Sequence, residues 1–192
     1  MKIVLTGGPS AGKTALVSLI EKQFYNSLVS VPEAASILFR GGFPRRSESQ
    51  QINHQQRAIY FVQVELEAMI AEENFGKSLL CDRGTLDGAA YWSGMPSDFF
   101  KSLNTTLEIE IKKYDYVIHL ESPNGHYYDR SNPVRVEKPP EAHVLDSKIK
   151  EIWSTHPHRL IVHCHKDFGE KVKEVIDFVS SIIAIPPNHE AP

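Results

Sequence analysis

The sequence of 192 residues lacks the features that define several large protein classes. Its only two cysteines, Cys81 and Cys164, lie far apart inside apolar runs, without the spacing of a disulfide scaffold, a zinc site or a redox motif. We expect both to be buried free thiols. No apolar run is long enough to cross a membrane, and the short apolar segment after Met1 does not have the length of a signal peptide. We therefore expect a cytoplasmic protein without membrane insertion.

An excess of charge of either sign is also missing. The formal net charge is −3, so a broad basic surface that could bind nucleic acid is not expected. Hydrophobic residues make up 41% of the chain and charged residues 23%, which is the composition of a globular protein that can bury one core.

Short apolar segments alternate with longer helical patterns along the chain, which indicates a parallel α/β sheet. Strands are predicted over residues 3–6, 28–31, 78–82, 117–120 and 160–162. Helices are predicted over 13–24, 49–73 and 98–113, after Pro139 and Pro140, and from Asp167 onward. The expected organisation is one domain over residues 1–185, with a long irregular lid at about 121–140 and a C-terminal tail at 186–192.

A glycine-rich segment follows the first strand and opens the first helix. It matches the pattern G-x-x-x-x-G-K-[ST], in which backbone N–H groups and a helix N-terminus surround phosphates. The predicted nucleotide-binding residues are Gly7, Gly8, Pro9, Ser10, Ala11, Gly12, Lys13 and Thr14. Lys13 would reach the outer phosphates, and Thr14 would offer its hydroxyl to Mg²⁺. A phosphate-free glycine turn before a helix is the weaker alternative, because both the strand and the helix are where the motif requires them.

Acidic residues follow two further strands at the predicted carboxyl edge of the sheet. Asp82 ends an apolar strand beside Arg83, where Mg²⁺ needs a carboxylate, so Asp82 is a candidate metal ligand or general base. A strand-ending Asp that caps the next turn is the alternative. Glu33 follows the second strand and is as compatible with a first-turn helix residue as with catalysis. Asp87 is a weaker candidate.

Two arginines lie in the predicted lid. Arg130 and Arg135 belong to an irregular segment with two tyrosines, where closing guanidinium groups could stabilise charge on a transferred phosphoryl group and exclude water. A solvated loop with structural Arg–Glu pairs is the alternative.

Several motifs in one order resemble a known family. These are GGPSAGKT, VPEAA, DRGTLDGAAYW, HLE, YYDRSNPVR and AHVLD. Together they resemble the P-loop ATPase and kinase family that includes the nicotinamide riboside kinase domain of NadR and the related AAA-type ATPase domain of eukaryotic translocation-defect trafficking proteins. The resemblance runs from Lys2 to about Phe178.

The resemblance implies a five-stranded parallel sheet wrapped by helices, with ATP and Mg²⁺ on Gly7, Gly12, Lys13 and Thr14. It also implies that Asp82 and Arg83 face the transferred phosphate. The acceptor would enter near Glu33, near Gln51 and Gln55, and near the loop that carries Arg45 and Arg46. We expect neither the adenylyltransferase domain of NadR nor a second lipid-binding domain in this chain, so neither the pyridine-nucleotide role nor the trafficking role is carried over.

Three functions are compatible with these motifs. The leading one is a kinase that moves the γ-phosphate of ATP to a hydroxyl of a small metabolite, with a nucleoside-like acceptor. A regulatory ATPase whose product is a conformational change is the first rival. A GTP-binding module is the second, and the absence of an N-K-x-D motif disfavours it. The sequence does not determine the acceptor or the oligomeric state.

Overall fold

A five-stranded parallel sheet organises the protein in our computed structural model, which describes residues 1–122, 139–164 and 168–184. The strands are β1 (Lys2–Thr6), β2 (Leu28–Val31), β3 (Ser78–Asp82), β4 (Tyr116–Leu120) and β5 (Arg159–Val162). Their order across the sheet is β2-β3-β1-β4-β5, and each neighbouring pair is parallel. The predicted single-domain α/β fold is confirmed.

Helices connect the strands and cover the sheet. Those described are α1 (Lys13–Gln23), α2 (Ala34–Arg40), α3 (Ser49–Glu73), α4 (Gly88–Tyr91), α5 (Pro96–Ser102), α6 (Leu107–Ile111), α7 (Pro139–Ile152) and α8 (Phe168–Ile183). In the described ranges, none of them combines the length and the apolar character needed to cross a lipid bilayer.

Each face of the sheet buries its own hydrophobic core, because successive strand residues point to opposite faces. Val4, Cys81 and Val117 face a cluster built with Phe99 and Trp153. The other face is covered by α1 and α8, whose buried residues include Leu16, Ile20, Val175 and Val179. Both faces are therefore covered, as a parallel sheet requires.

The predicted single helix over 98–113 is wrong. It is divided into α5 and α6, because Asn104 adopts a left-handed backbone with φ 53° and Thr106 begins a new helix by accepting a hydrogen bond from Ile109 N at 3.2 Å. Asn and Thr side chains favour turns and helix N-caps over helix interiors, so Asn104 and Thr106 were a sequence signal for this break.

The expectation that both thiols are buried is only half right. Cys81 is fully buried in β3, whereas Cys164 is exposed just beyond the end of β5. Apolar neighbours in sequence did not determine burial there, because β5 is an edge strand and the chain leaves the sheet after Val162.

The carboxyl ends of the parallel strands meet at one edge of the sheet. The segment after central strand β1 lies between the ends of β3 and β4, because β1 pairs with both. Ligands of open α/β sheets bind in this position.

Candidate active site

The glycine-rich loop between β1 and α1 has the backbone that the motif predicts. Gly7 and Gly12 have positive φ values of 130° and 90°. A Cβ at Gly7 would lie 2.1 Å from the carbonyl oxygen of Leu120, so only glycine fits against the end of β4. Gly12 precedes α1 and, as a glycine, has no side chain that could cap the N–H groups of the first turn. This arrangement suits an anion at the helix N-terminus.

Lys13 folds back onto this loop. Its Nζ donates hydrogen bonds to the carbonyl oxygens of Gly7 at 2.9 Å and Gly8 at 2.7 Å. Burial, reinforced by the charge of Arg83, lowers the pKa of Lys13 to about 7. The two carbonyl oxygens are neutral acceptors, so a phosphate group would be a stronger, anionic partner for this ammonium group.

Asp82 and Thr14 form a group of oxygen atoms beside Lys13. Thr14 Oγ1 donates to Asp82 Oδ2 at 3.3 Å, while the buried Asp82 Oδ1 has no hydrogen-bond partner within the described ranges. Burial and the nearby charge of Glu33 raise the pKa of Asp82. A hydroxyl and an unpartnered carboxylate oxygen are hard ligands that fit Mg²⁺, which completes its shell with phosphate oxygens and water.

Arg83 forms ion pairs with the two other acidic residues of the site, Glu33 and Asp87. Its Nε donates to Glu33 Oε1 at 2.6 Å, and its Nη1 donates to Asp87 Oδ2 at 3.4 Å. Arg83 has a φ of 76°, which is uncommon outside glycine and concentrates at functional sites. Burial alone would raise the pKa of Glu33, but the charge of Arg83 outweighs it and lowers that pKa to about 2. Glu33 is thus ionised at neutral pH.

A cavity of about 1100 Å³ extends from the glycine-rich loop past these side chains. Its far walls come from α2, α3 and the Arg45–Arg46 loop, with Phe39, Ile59, Tyr91 and Phe99 among the apolar lining. Gln56 also lines it. Gln56 is only 8% exposed. The cavity is large enough for a second small molecule beside a nucleotide.

Asp146 on α7 is a site residue that the sequence reasoning missed. Its Oδ1 accepts a hydrogen bond from Gly8 N at 2.7 Å and contacts His119 Nε2 at 3.0 Å, and its Oδ2 accepts from Ser122 N at 3.2 Å. Ser122 Oγ in turn donates to the carbonyl oxygen of Pro9 at 3.0 Å. The hydrogen bond to His119 is the main influence that lowers the pKa of Asp146 against its burial. Asp146 therefore stabilises the start of the glycine-rich loop.

A sequence signal for Asp146 existed. It lies four residues after Ala142 and three before Ile149, and both of these are buried. A carboxylate on the buried face of an amphipathic helix needs polar partners, so this spacing pointed to a hidden interaction. Asp87, ranked lowest among the acids, is also central, because its carboxylate accepts from Thr6 Oγ1 and Trp153 Nε1 at 2.7 Å each.

The structure brings most of the predicted residues together around one cavity. Lys13, Thr14, Glu33, Asp82 and Arg83 all line it. Arg130 and Arg135, with most of the predicted lid, lie outside the described residues.

Comparison with known proteins agrees with this architecture. The deoxyadenosine kinase from M. mycoides with bound dATP has a similar structure, with a TM-score of 0.66 and 13% sequence identity over 94% of this chain and 99% of that one. Thymidylate kinase from Candida albicans is similar with a TM-score of 0.63 and 14% identity, over 94% of this chain and 91% of the other. No curated protein matches the sequence. At such low identity the solved structures establish a shared fold.

The family model described as "AAA domain" matches residues 2–171. This match includes the glycine-rich loop, the strand-end acids and Asp146, and it covers most of the 192 residues. The chain therefore belongs to this AAA domain family of P-loop proteins.

Proposed function

We propose that the protein is a Mg²⁺-dependent phosphotransferase that moves the γ-phosphate of ATP to a hydroxyl group of a small, nucleoside-like metabolite. The observation that carries the proposal is the shared cavity. It joins the glycine-rich loop and the unpartnered Asp82 oxygen to a further part of the same cavity, which is lined by Glu33 and Arg83 and is called the acceptor chamber below. A nucleotide-only switch does not need such a chamber.

The phosphate donor is assigned to the glycine-rich loop. Gly7–Thr14 would surround the phosphates, and Lys13 would transfer its ammonium from the Gly7 and Gly8 carbonyls to the outer phosphate oxygens. Thr14 and Asp82 would hold Mg²⁺, which when bound neutralises charge on the transferred group. We assign Asp82 to the metal rather than to proton transfer because its carboxylate lies beside the Thr14 hydroxyl and keeps its second oxygen, Oδ1, unpartnered in the described residues.

The acceptor is assigned to the chamber beside Glu33. The acceptor hydroxyl oxygen would attack the γ-phosphorus, the bond to the β–γ bridging oxygen would break, and ADP would leave. With its pKa near 2, Glu33 is ionised and can orient the hydroxyl by accepting its hydrogen bond. It would receive the proton only late in the transfer, when the oxygen has become acidic, and release it to solvent.

Two further lines of support concern the acceptor class and the lid. The proteins with similar structures are named as deoxyadenosine and thymidylate kinases, which supports a nucleoside-like acceptor. The motif resemblance adds the nicotinamide riboside kinase domain of NadR. We further propose that Arg130 and Arg135 contact the transferred phosphoryl group and stabilise its negative charge.

The first experiment measures ADP formation with Mg²⁺-ATP against a panel of nucleosides that includes nicotinamide riboside. One acceptor should raise ADP formation and yield a phosphorylated product. The Lys13→Ala variant should lower that rate by about 10²–10³-fold, because one donor to the transferred group is lost. Lys22→Ala, which removes an exposed lysine from the same helix, should match the unaltered protein.

The alternatives give different results. If ATP binds and is hydrolysed slowly, and no acceptor changes that rate, the result would favour the regulatory ATPase over the kinase. Preferential GTP binding would favour the guanine-nucleotide module. Unchanged activity in Lys13→Ala would contradict the phosphate-site assignment itself.

A further inference from the structure

The turn after β3, residues 83–85, fixes the place of the Arg83 guanidinium. Arg83 has a left-handed backbone with φ 76°, which costs free energy in a residue that carries a side chain, so neighbouring groups must hold it. From this turn the guanidinium donates to Glu33 Oε1 at 2.6 Å and to the carbonyl oxygen of Gly7 at 3.4 Å. A change in the backbone of the turn would therefore move both contacts.

Side chains from distant parts of the chain hold the two ends of this turn. Gln63 on α3 donates through Nε2 to the Arg83 carbonyl oxygen at 3.3 Å, and Tyr114, just before β4, accepts from Thr85 N at 2.8 Å. Between these ends, a Cβ at Gly84 would lie 2.7 Å from the Trp153 ring, so the middle of the turn is packed closely. The turn is thus fixed at three points.

A buried carboxylate decides how both of these side chains form their hydrogen bonds. Glu67 Oε1 accepts from Gln63 Nε2 at 2.9 Å and from Tyr114 Oη at 2.7 Å, and its Oε2 accepts from Lys2 Nζ at 2.8 Å. A phenol has one proton, and since Glu67 accepts it, the Tyr114 oxygen can only accept from the backbone N–H of the turn. Likewise, the contact with Glu67 requires the Gln63 amide to present its nitrogen, which can also donate to the carbonyl oxygen of the turn.

Glu67 and Tyr114 lie behind the active site rather than in it. They are 3% and 4% exposed, and the described lining of the cavity includes neither of them. A buried ion pair is weak evidence for stability, because apolar side chains of the same volume often stabilise a fold as well. Its hydrogen bonds do, however, select one backbone geometry, and here they converge on the turn that carries Arg83.

We propose that Glu67 and Tyr114 are positioning residues of the active site, which act through the turn at residues 83–85 and together with Gln63. They hold the Arg83 guanidinium where it keeps the Glu33 carboxylate directed at the acceptor hydroxyl. This inference rests on the proposed kinase function for its effect on the rate. The position of Arg83 itself can be measured independently of any activity.

Tyr114→Phe tests the proposal, because it removes a single hydroxyl group that does not line the cavity. The kcat with the acceptor found in the nucleoside panel should fall by about 10–100-fold, since a small misplacement of orienting groups is enough for such a loss. The KM for Mg²⁺-ATP should stay the same, because the glycine-rich loop has its own hydrogen bonds.

The spectroscopic readout is the Arg83 Nε–H resonance in a ¹H–¹⁵N NMR spectrum of the full chain, assigned by its loss in Arg83→Lys. In the unaltered protein this proton is hydrogen-bonded to Glu33 and should exchange slowly with water. In Tyr114→Phe the resonance should move and exchange faster. Gln63→Met releases the other end of the turn and should have the same effect on the resonance. Because Gln63 lines the cavity, this variant is judged by the resonance alone.

Two control variants separate positioning from general effects. Tyr116→Phe makes the same chemical change in β4, outside the hydrogen bonds that hold the turn, and should leave both kcat and the resonance unchanged. Val179→Ala removes part of a fully buried side chain from the core on the other face of the sheet. It should lower the Tm without changing kcat at a temperature where the variant is folded.

The proposal is overturned if the Arg83 resonance is unchanged in Tyr114→Phe and Gln63→Met, if it moves while kcat stays the same, or if Val179→Ala reproduces the loss of kcat. Failure of the kinase function is a separate result, in which the unaltered protein phosphorylates no acceptor. In that case, a resonance that moves in Tyr114→Phe but not in Tyr116→Phe supports the positioning role, and one that moves in neither overturns it.

Discussion

At the residue scale, the site depends on charges whose states are set by burial and by neighbours. The pKa values of Lys13 and Glu33 are both lowered, but for different reasons and with opposite effects on charge. Burial brings the pKa of Lys13 down to about 7, whereas the Arg83 guanidinium brings that of Glu33 down to about 2. The lysine is therefore poised to gain a proton when an anion arrives, while the glutamate stays charged.

Proton uptake on nucleotide binding follows from the state of Lys13. At pH 8 the free protein holds Lys13 mostly neutral, and the negative charge of a bound phosphate raises the pKa again. Binding of Mg²⁺-ATP should therefore take up on the order of one proton at pH 8 and almost none at pH 6, with affinity falling as pH rises above about 7. Calorimetry in two buffers with different ionisation enthalpies measures this, and heats at pH 8 that do not depend on the buffer would contradict it.

At the element scale, α7 acts on the phosphate loop from outside the loop sequence. This helix follows the predicted lid directly and presents Asp146 to Gly8, His119 and Ser122. The end of β4 adds the Leu120 carbonyl, which excludes any side chain at Gly7. The shape of the loop is thus maintained by β4 and α7 as well as by its own glycines.

Removing the Asp146 carboxylate should lower both the stability of the fold and the affinity for nucleotide. Asp146→Ala leaves three buried donors without their acceptor, so we expect a loss of about 2–4 kcal/mol in the free energy of unfolding, measured by urea denaturation. Nucleotide affinity should also fall, because Gly8 is no longer held. Asp177→Ala on α8, which breaks an exposed pair with Lys173, is the control and should cost little. Unchanged nucleotide affinity of the folded Asp146 variant would mean that the contact is only structural.

The helix α3 illustrates how the bounds of a helix can be predicted while its most buried side chains are not. Its observed bounds, Ser49–Glu73, match those read from the spacing of apolar residues. Its buried residues, however, are Gln55, Gln56, Tyr60, Gln63 and Glu67. Those polar residues face the cavity and a hydrogen-bonded cluster in which Glu67 accepts from Lys2, Gln63 and Tyr114. The inward face of α3 therefore combines these polar residues with apolar ones, since Val64, Leu66 and Ile70 pack against the core.

At the scale of the whole molecule, the site lies where separate strands end. Glu33 follows β2, Asp82 ends β3, the phosphate loop follows β1, and Ser122 follows β4. Both sheet faces are closed by their own cores, so this edge remains as the place where loops can surround a ligand. Binding there connects elements from both halves of the chain.

Ligand binding at this edge should therefore stabilise the entire fold. At a hundredfold excess over its dissociation constant, Mg²⁺-ATP adds about 2.7 kcal/mol, which corresponds to a rise of about 5–10 °C in Tm for a chain of this size. Chelating Mg²⁺ with EDTA should remove most of that rise, as should Asp82→Asn. Asp98→Asn, which changes an exposed acid on α5, should keep it. An equal rise in Tm with and without EDTA would show that Asp82 and Thr14 do not hold a metal.

The sequence by itself determined the strands, the long helix and the backbone of the glycine-rich loop, because each depends on neighbours in the chain. Apolar runs that end at Asp82 or before Gly7 define buried strands, and Gly7 and Gly12 specify a backbone that other residues rarely adopt. The fold class followed from the alternation of such segments.

Only the tertiary structure decided which distant side chains meet and what charge they carry. Glu33 and Arg83 are 50 residues apart, and Gly8 and Asp146 are 138 apart. No local period encodes such pairs, since they form only when the strand order places β2 beside β3 and α7 packs against the phosphate loop. The tertiary structure also decides the burial that lowers the pKa of Lys13 and the exposure of Cys164, because solvent access is a property of the folded molecule.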